Sequence, residues 1–138
     1  MATILCIDDS RVTLEIHQAL LGSKGYRVLI ALDGPTGIAL SRQESVDVVV
    51  LDFNMSGMDG DQVAQVLMRE QPTLPVVIWS GYPDGIPESL RWFAYAVLHK
   101  SDGLEALLSV VESLVEAGTT KKRVPARRTI EIAGRLSA

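Results

Sequence analysis

Val46-Asp47-Val48-Val49-Val50-Leu51-Asp52-Phe53-Asn54-Met55-Ser56-Gly57-Met58-Asp59-Gly60 decides the fold. A run of β-branched and apolar residues ends abruptly in one carboxylate, Asp52. A loop with two glycines follows, and then a helical pattern begins. An apolar run of this length reads as a strand buried on both faces, the signature of parallel strands in α/β proteins. Open parallel sheets bind their ligands just beyond the carboxyl ends of the strands. Asp52 stands at that position, although an Asp there also commonly just opens a turn. The other strand ends carry the decision.

On either side of this stretch the same unit repeats. Ile4-Leu5-Cys6-Ile7 predicts a first strand ending in Asp8-Asp9-Ser10, and Ser10 or Asp9 is placed to cap a helix that Gly25 ends. Val12, Ile16, Ala19 and Leu20 form the expected buried stripe of that helix, with His17 a surface side chain. Tyr26–Ala31 predicts a second strand, at an edge because of Arg27, and Gly34-Pro35 opens a helix running to about Glu44. A third helix from Gly60 turns Val63, Val66 and Leu67 inward and stops before Pro72. Pro75–Trp79 predicts a fourth strand ending at Ser80-Gly81, and residues 81–87 are loop. A short helix spans Pro87–Trp92, and Ala94–Leu98 is a fifth strand ending in His99-Lys100-Ser101. The last helix, capped by Ser101 and ended by Gly118, buries Leu104, Leu107, Leu108, Val111, Leu114 and Val115. This alternation predicts a flavodoxin-like (βα)5 doubly wound parallel sheet with strand order 2-1-3-4-5.

The chain has 138 residues, 47% of them hydrophobic and 22% charged, which fits one folded core over residues 1–118. No apolar run approaches the length of a membrane span. The single Cys6 excludes an internal disulfide and fits a reducing cytosol, so a cytoplasmic location is expected. The net charge of −4 divides unevenly: residues 1–118 carry −9, and residues 119–138 carry +5. The acidic core offers no basic face for direct nucleic-acid binding. The segment 119–138 reads as a basic tail or linker, disordered or loosely docked.

Four strands end in reactive side chains: Asp8 and Asp9, Asp52, Ser80, and Lys100. In the expected order, strands one and three are neighbours roughly 4.8 Å apart, so the three acids crowd one crevice. Carboxylates that close need a proton or a cation between them. Mg²⁺ suits an oxygen-only site of this kind, and the backbone carbonyl of Asn54 offers it a further ligand. A cation there offsets the repulsion between a carboxylate nucleophile and a phosphoryl group. Lys100 supplies a flexible positive charge, Ser80 a hydroxyl donor, and Asp52 an oxygen able to form an acyl phosphate. Each residue also has an ordinary role as cap, turn or solvated charge; their convergence on one sheet edge selects phosphoryl chemistry. His99, beside Lys100, reads as structural.

With these residues assembled, the chain resembles the receiver domain of two-component response regulators. Asp8-Asp9, Leu51-Asp52-Phe53-Asn54-Met55, Met58-Asp59-Gly60, Ser80 and Lys100 carry the resemblance, which covers roughly residues 3–117. It implies that Asp52 accepts a phosphoryl group from a sensor histidine kinase or phosphotransfer protein. It also implies Mg²⁺ held by Asp9, Asp52 and the Asn54 carbonyl with help from Asp8, Ser80 as switch hydroxyl, and Lys100 as phosphate-binding lysine. The protein would modify only itself, would not turn over a separate substrate, and would act through protein–protein contacts, a homodimer among them. Three positions depart from the family pattern. Val97 stands where an aromatic switch residue is usual, Ser101 replaces the proline after the lysine, which puts the expected cis peptide in doubt, and Ser56 replaces another proline. Val97 and the short fourth helix motivate an alternative reading, a degenerate receiver acting as a phosphorylation-independent interaction module. A haloacid-dehalogenase-type hydrolase fits less well, since Ser10 stands where its second aspartate belongs. A flavodoxin-like cofactor binder is disfavoured because Asp8-Asp9 would repel a phosphate.

Overall fold

A computed structural model describes residues 1–55, 57–119 and 130–131. Strands β1 (Thr3–Ile7), β2 (Arg27–Ala31), β3 (Val48–Asp52), β4 (Val76–Ser80) and β5 (Ala96–His99) alternate with five helices. These are α1 (Arg11–Gly22), α2 (Gly34–Gln43), α3 (Gly60–Glu70), α4 (Glu88–Phe93) and α5 (Leu104–Thr119). All strand pairs are parallel, in the order β2-β1-β3-β4-β5, as the alternation predicts. A two-residue strand, β6 (Ile130–Glu131), adds to the far edge and pairs in parallel with Ala96 and Val97. Apart from Thr119 and β6, the tail expected over 119–138 lies outside the described residues, as does Ser56.

The period-two alternation of the buried strands divides the core into two layers. Leu5, Ile7, Val49, Leu51, Val76 and Ile78 face α2, α3 and α4. Ile4, Cys6, Val48, Val50, Val77 and Trp79 face α1 and α5. The edge strand β2 is half-buried, and Arg27 at its start pairs with Glu44 at 2.8 Å on the surface, as an edge position allows. Cys6 is a buried packing residue whose thiol is pushed up to about 12, chiefly by burial.

Helix α1 corrects the expected stripe. Its buried residues are Leu14, His17 and Leu21, at spacings of three and four, whereas Val12 is 66% and Ile16 44% exposed. The apolar residues alone point to the wrong face, because an imidazole occupies the middle of the true one. His17 is therefore a core residue, not a surface one. At the chain's other end, Ser101 does not cap α5. It lies in a turn of 3-10 helix over Lys100–Asp102, and α5 begins only after Gly103, whose φ of 91° suits glycine. Helix α5 buries Leu107, Val110, Val111 and Leu114, leaves Leu104 exposed, and continues past Gly118 to Thr119. The segment after β4 is not pure loop either: Pro83–Gly85 forms one 3-10 turn, with the Arg91 guanidinium donating to the Pro83 carbonyl.

Candidate phosphoacceptor site

The site forms where β1, β3, β4 and β5 end. Asp8 follows β1, Asp52 closes β3, Ser80 closes β4 and Lys100 follows β5. The strands are locked by buried apolar packing, so their last side chains are carried on a rigid frame. Carboxylate oxygens of Asp8, Asp9 and Asp52 lie within 4.8 Å of one another, with Asp8 and Asp52 buried and Asp9 exposed. The Lys100 Nζ stands 3.4 Å from Asp52 Oδ1.

Local hydrogen bonds fix the two buried acids. The Ser10 N–H donates to Asp8 Oδ1 at 2.8 Å, and the Asn54 N–H donates to Asp52 Oδ1 at 3.2 Å. Asp8 Oδ2 is buried and has no hydrogen-bond partner. An orphaned carboxylate oxygen among crowded acids is costly unless a proton or cation reaches it. Burial lifts the Asp8 carboxyl to about 6, with the neighbouring Asp52 adding to the effect. Burial also raises Asp52, against the pull of Lys100 and the Asn54 N–H. The donor set is all oxygen, with two buried acids and one exposed acid, which fits a hard divalent cation such as Mg²⁺.

The loop after β3 is pinned at both ends. Asp59 caps α3, accepting from the Gln62 N–H at 3.0 Å, while the Asp59 N–H donates to Gln62 Oε1 at 3.1 Å. The Gly60 N–H donates back to the Phe53 carbonyl at 3.0 Å. Asn54 contributes more than its place in sequence suggests. The fully buried Ser80 hydroxyl donates to Asn54 Oδ1 at 3.1 Å and accepts from the Tyr82 N–H at 3.0 Å. The Asn54 side chain had no sequence signal, since an Asn after a strand usually reads as a turn residue.

His17 lies behind the site rather than in it. Its ring meets Trp79 edge-on at 5.5 Å between centroids, and neither ring nitrogen has a hydrogen-bond partner. Burial, helped by the field of Lys100, lowers its imidazole to about 4. His99 sits at the end of β5 and shapes the turn that carries Lys100. Val97, at the position of the expected aromatic switch, is a buried β5 residue, and no cis peptide bond occurs among the described residues.

Comparison with known proteins agrees with this geometry. A family model described as the response regulator receiver domain matches residues 4–112. Protein PilH of Pseudomonas aeruginosa is 41% identical over 80 residues, 56% of this chain and 66% of PilH. The transcriptional regulatory protein GlrR of Escherichia coli is 30% identical over 118 residues, 83% of this chain but 26% of GlrR. The chain therefore spans less than two thirds of either relative. The response regulator protein TrrA of Thermotoga maritima, solved in complex with Mg²⁺-BeF, shares the fold at a TM-score of 0.77 and 24% identity. That likeness covers 83% of this chain and 99% of TrrA.

Proposed function

This chain belongs to the response regulator receiver domain family, and from that membership we propose that Asp52 accepts a phosphoryl group from a phosphohistidine. As a receiver domain of two-component regulators, its partner in that transfer is a sensor histidine kinase or a phosphotransfer protein; TrrA itself has been solved with the histidine kinase ThkA. The observation that carries the reading is the convergence of Asp8, Asp9 and Asp52 on one another with Lys100 at 3.4 Å.

The roles follow from the placement. An Asp52 carboxylate oxygen forms the new O–P bond as the P–N bond of the donor breaks, and the donor imidazole leaves neutral once it has taken up a proton. Lys100 turns from Asp52 Oδ1 to the phosphoryl oxygens, whose charge it offsets. Asp8, Asp9 and Asp52 would hold Mg²⁺, with the Asn54 carbonyl as a further ligand. When bound, Mg²⁺ neutralises the crowded negative charge and lets a dianionic group approach a carboxylate. Ser80 donates to a phosphoryl oxygen only by giving up Asn54, so arrival of the group is coupled to the loop after β3. The output is a change in protein–protein contacts on the side formed by α4 and β5, where Trp92 of α4 is exposed. The protein acts in the cytoplasm in this reading, and no helix among the described residues is long and apolar enough to cross a membrane.

Incubation of the full chain with acetyl phosphate and Mg²⁺ tests the reading. A phosphate adduct by intact mass spectrometry is the expected result, lost on chelation of the metal. No adduct under conditions that label another receiver domain would overturn it.

Thermal unfolding tests the metal site separately. Asp8 is raised from 3.8 to about 6 in the folded state, so the folded chain holds this proton more tightly than the unfolded chain does. Without metal, its contribution makes stability fall as pH rises between those values, and the penalty is complete above about 6. Mg²⁺ competes with that proton. Added Mg²⁺ is therefore expected to raise Tm by a few degrees near roughly pH 7.5 and much less near roughly pH 4.5. An equal shift at both pH values would mean that the ion binds outside this cluster.

A further inference from the structure

We propose that His99 is a positioning residue for Lys100, an inference that rests on the phosphoacceptor reading above. Lys100 ends in a charge on a flexible four-carbon stem, so where that charge acts depends on how firmly its backbone is held. The backbone on either side of Lys100 is fixed by two side chains. The Ser101 N–H donates to His99 Nδ1 at 2.9 Å, and the Ser101 hydroxyl lies 2.6 Å from the same nitrogen. In return the His99 N–H donates to Asp102 Oδ2 at 2.9 Å. This is a reciprocal cap closed around Lys100.

Histidine is not among the preferred capping types, which are Ser, Thr, Asp and Asn. A short capping side chain would make the same bond, so the ring is not needed for helix formation alone. His99 also lies in register with Ser80, at the end of a strand locked into the sheet. The imidazole therefore ties the turn that carries Lys100 to the rigid frame that carries the hydroxyl. To accept from the Ser101 N–H, Nδ1 must be unprotonated, which puts the ring proton on Nε2.

The test uses the full chain and measures the rate of adduct formation with acetyl phosphate and Mg²⁺. His99→Phe keeps a ring but has no acceptor, and is expected to slow labelling by about tenfold, since small misplacements of a charge at a reacting group are costly. His99→Asn, whose side-chain carbonyl can accept the same N–H, is expected to return the rate to within about twofold. In a Lys100→Ala background, His99→Phe should add no further loss, because the two act as one unit. A wild-type rate for His99→Phe, or an equal loss with and without Lys100, overturns the proposal. If His99→Phe fails to fold by circular dichroism, His99→Ala takes its place with the same expectations. Absence of adduct on the wild type would instead overturn the phosphoacceptor reading, and the role of His99 with it.

Discussion

Asp52→Asn is expected to leave less than about 1% of wild-type labelling by acetyl phosphate, because a neutral amide is not a nucleophile toward phosphorus. The variant should not unfold. Asp52 is buried against Asp8, and burial raises both carboxyls, so the charge removed is one that the metal-free fold tolerates poorly. Replacing it with an isosteric amide is expected to hold or raise stability at neutral pH without metal, because one of two crowded like charges is removed. Lys100 loses its partner, but it is exposed enough to be hydrated. Mg²⁺ should bind more weakly, since one of three clustered acids has gone. Labelling and thermal unfolding measured together check all of this. Persistent labelling would move the acceptor to another residue, and a large drop in Tm would contradict the crowding of charge.

Gly60→Ala is expected to have the largest effect on stability. A Cβ at Gly60 would lie 2.5 Å from Phe53 Cα, 2.7 Å from the Phe53 carbonyl oxygen and 2.8 Å from that of Asp52. These are backbone atoms of the strand end and cannot turn aside as a side chain would. Either α3 backs away from β3 or the chain shifts at Asp52. Overpacking of this kind costs about 3 kcal/mol. For a chain of this size that lowers Tm by about 10 °C. Labelling of Asp52 should slow as well, because one contacted oxygen belongs to the acceptor residue itself. A Tm within about 2 °C of wild type would mean that the approach of α3 to β3 is looser than drawn. Gly37 differs in kind, since the nearest atoms to its added Cβ belong to the buried Ile7 side chain rather than to backbone.

The sheet order and the acid cluster were legible because they rest on patterns that burial enforces. A strand covered on both faces must be apolar through its middle, and β1, β3 and β4 carry apolar runs broken only at an end, by Thr3, Asp52 and Ser80. A reactive residue on a parallel sheet must sit at a carboxyl end, and Asp8, Asp52, Ser80 and Lys100 do. In the first helix periodicity points to the wrong face, because hydropathy counts Val12 and Ile16 as inward and His17 as outward. Contact with Trp79 reverses that order, and a partner three strands further along the chain is invisible to helical periodicity. The cap around Lys100 escapes the sequence pattern for a similar reason. Ser101 resembles a helix cap by type, but the geometry that assigns the task to His99 and Asp102 appears only when the turn is built. The bond from Ser80 to Asn54 joins residues 26 positions apart, and no local pattern announces it.

The edge-on pair of His17 and Trp79 has an optical consequence. One of the chain's two tryptophans stands beside the pocket and the other on the outer helix. Trp79 is 5% exposed, in register with Asp52 and one residue before Ser80; Trp92 is 56% exposed on α4. Their emission should therefore separate by colour and by access to a soluble quencher such as iodide. Filling the pocket with Mg²⁺ should alter the blue, shielded component, and a rearrangement on α4 should alter the red, quenchable one. With no label attached, emission followed through time after mixing would then show the order of events at the pocket and at the outer helix.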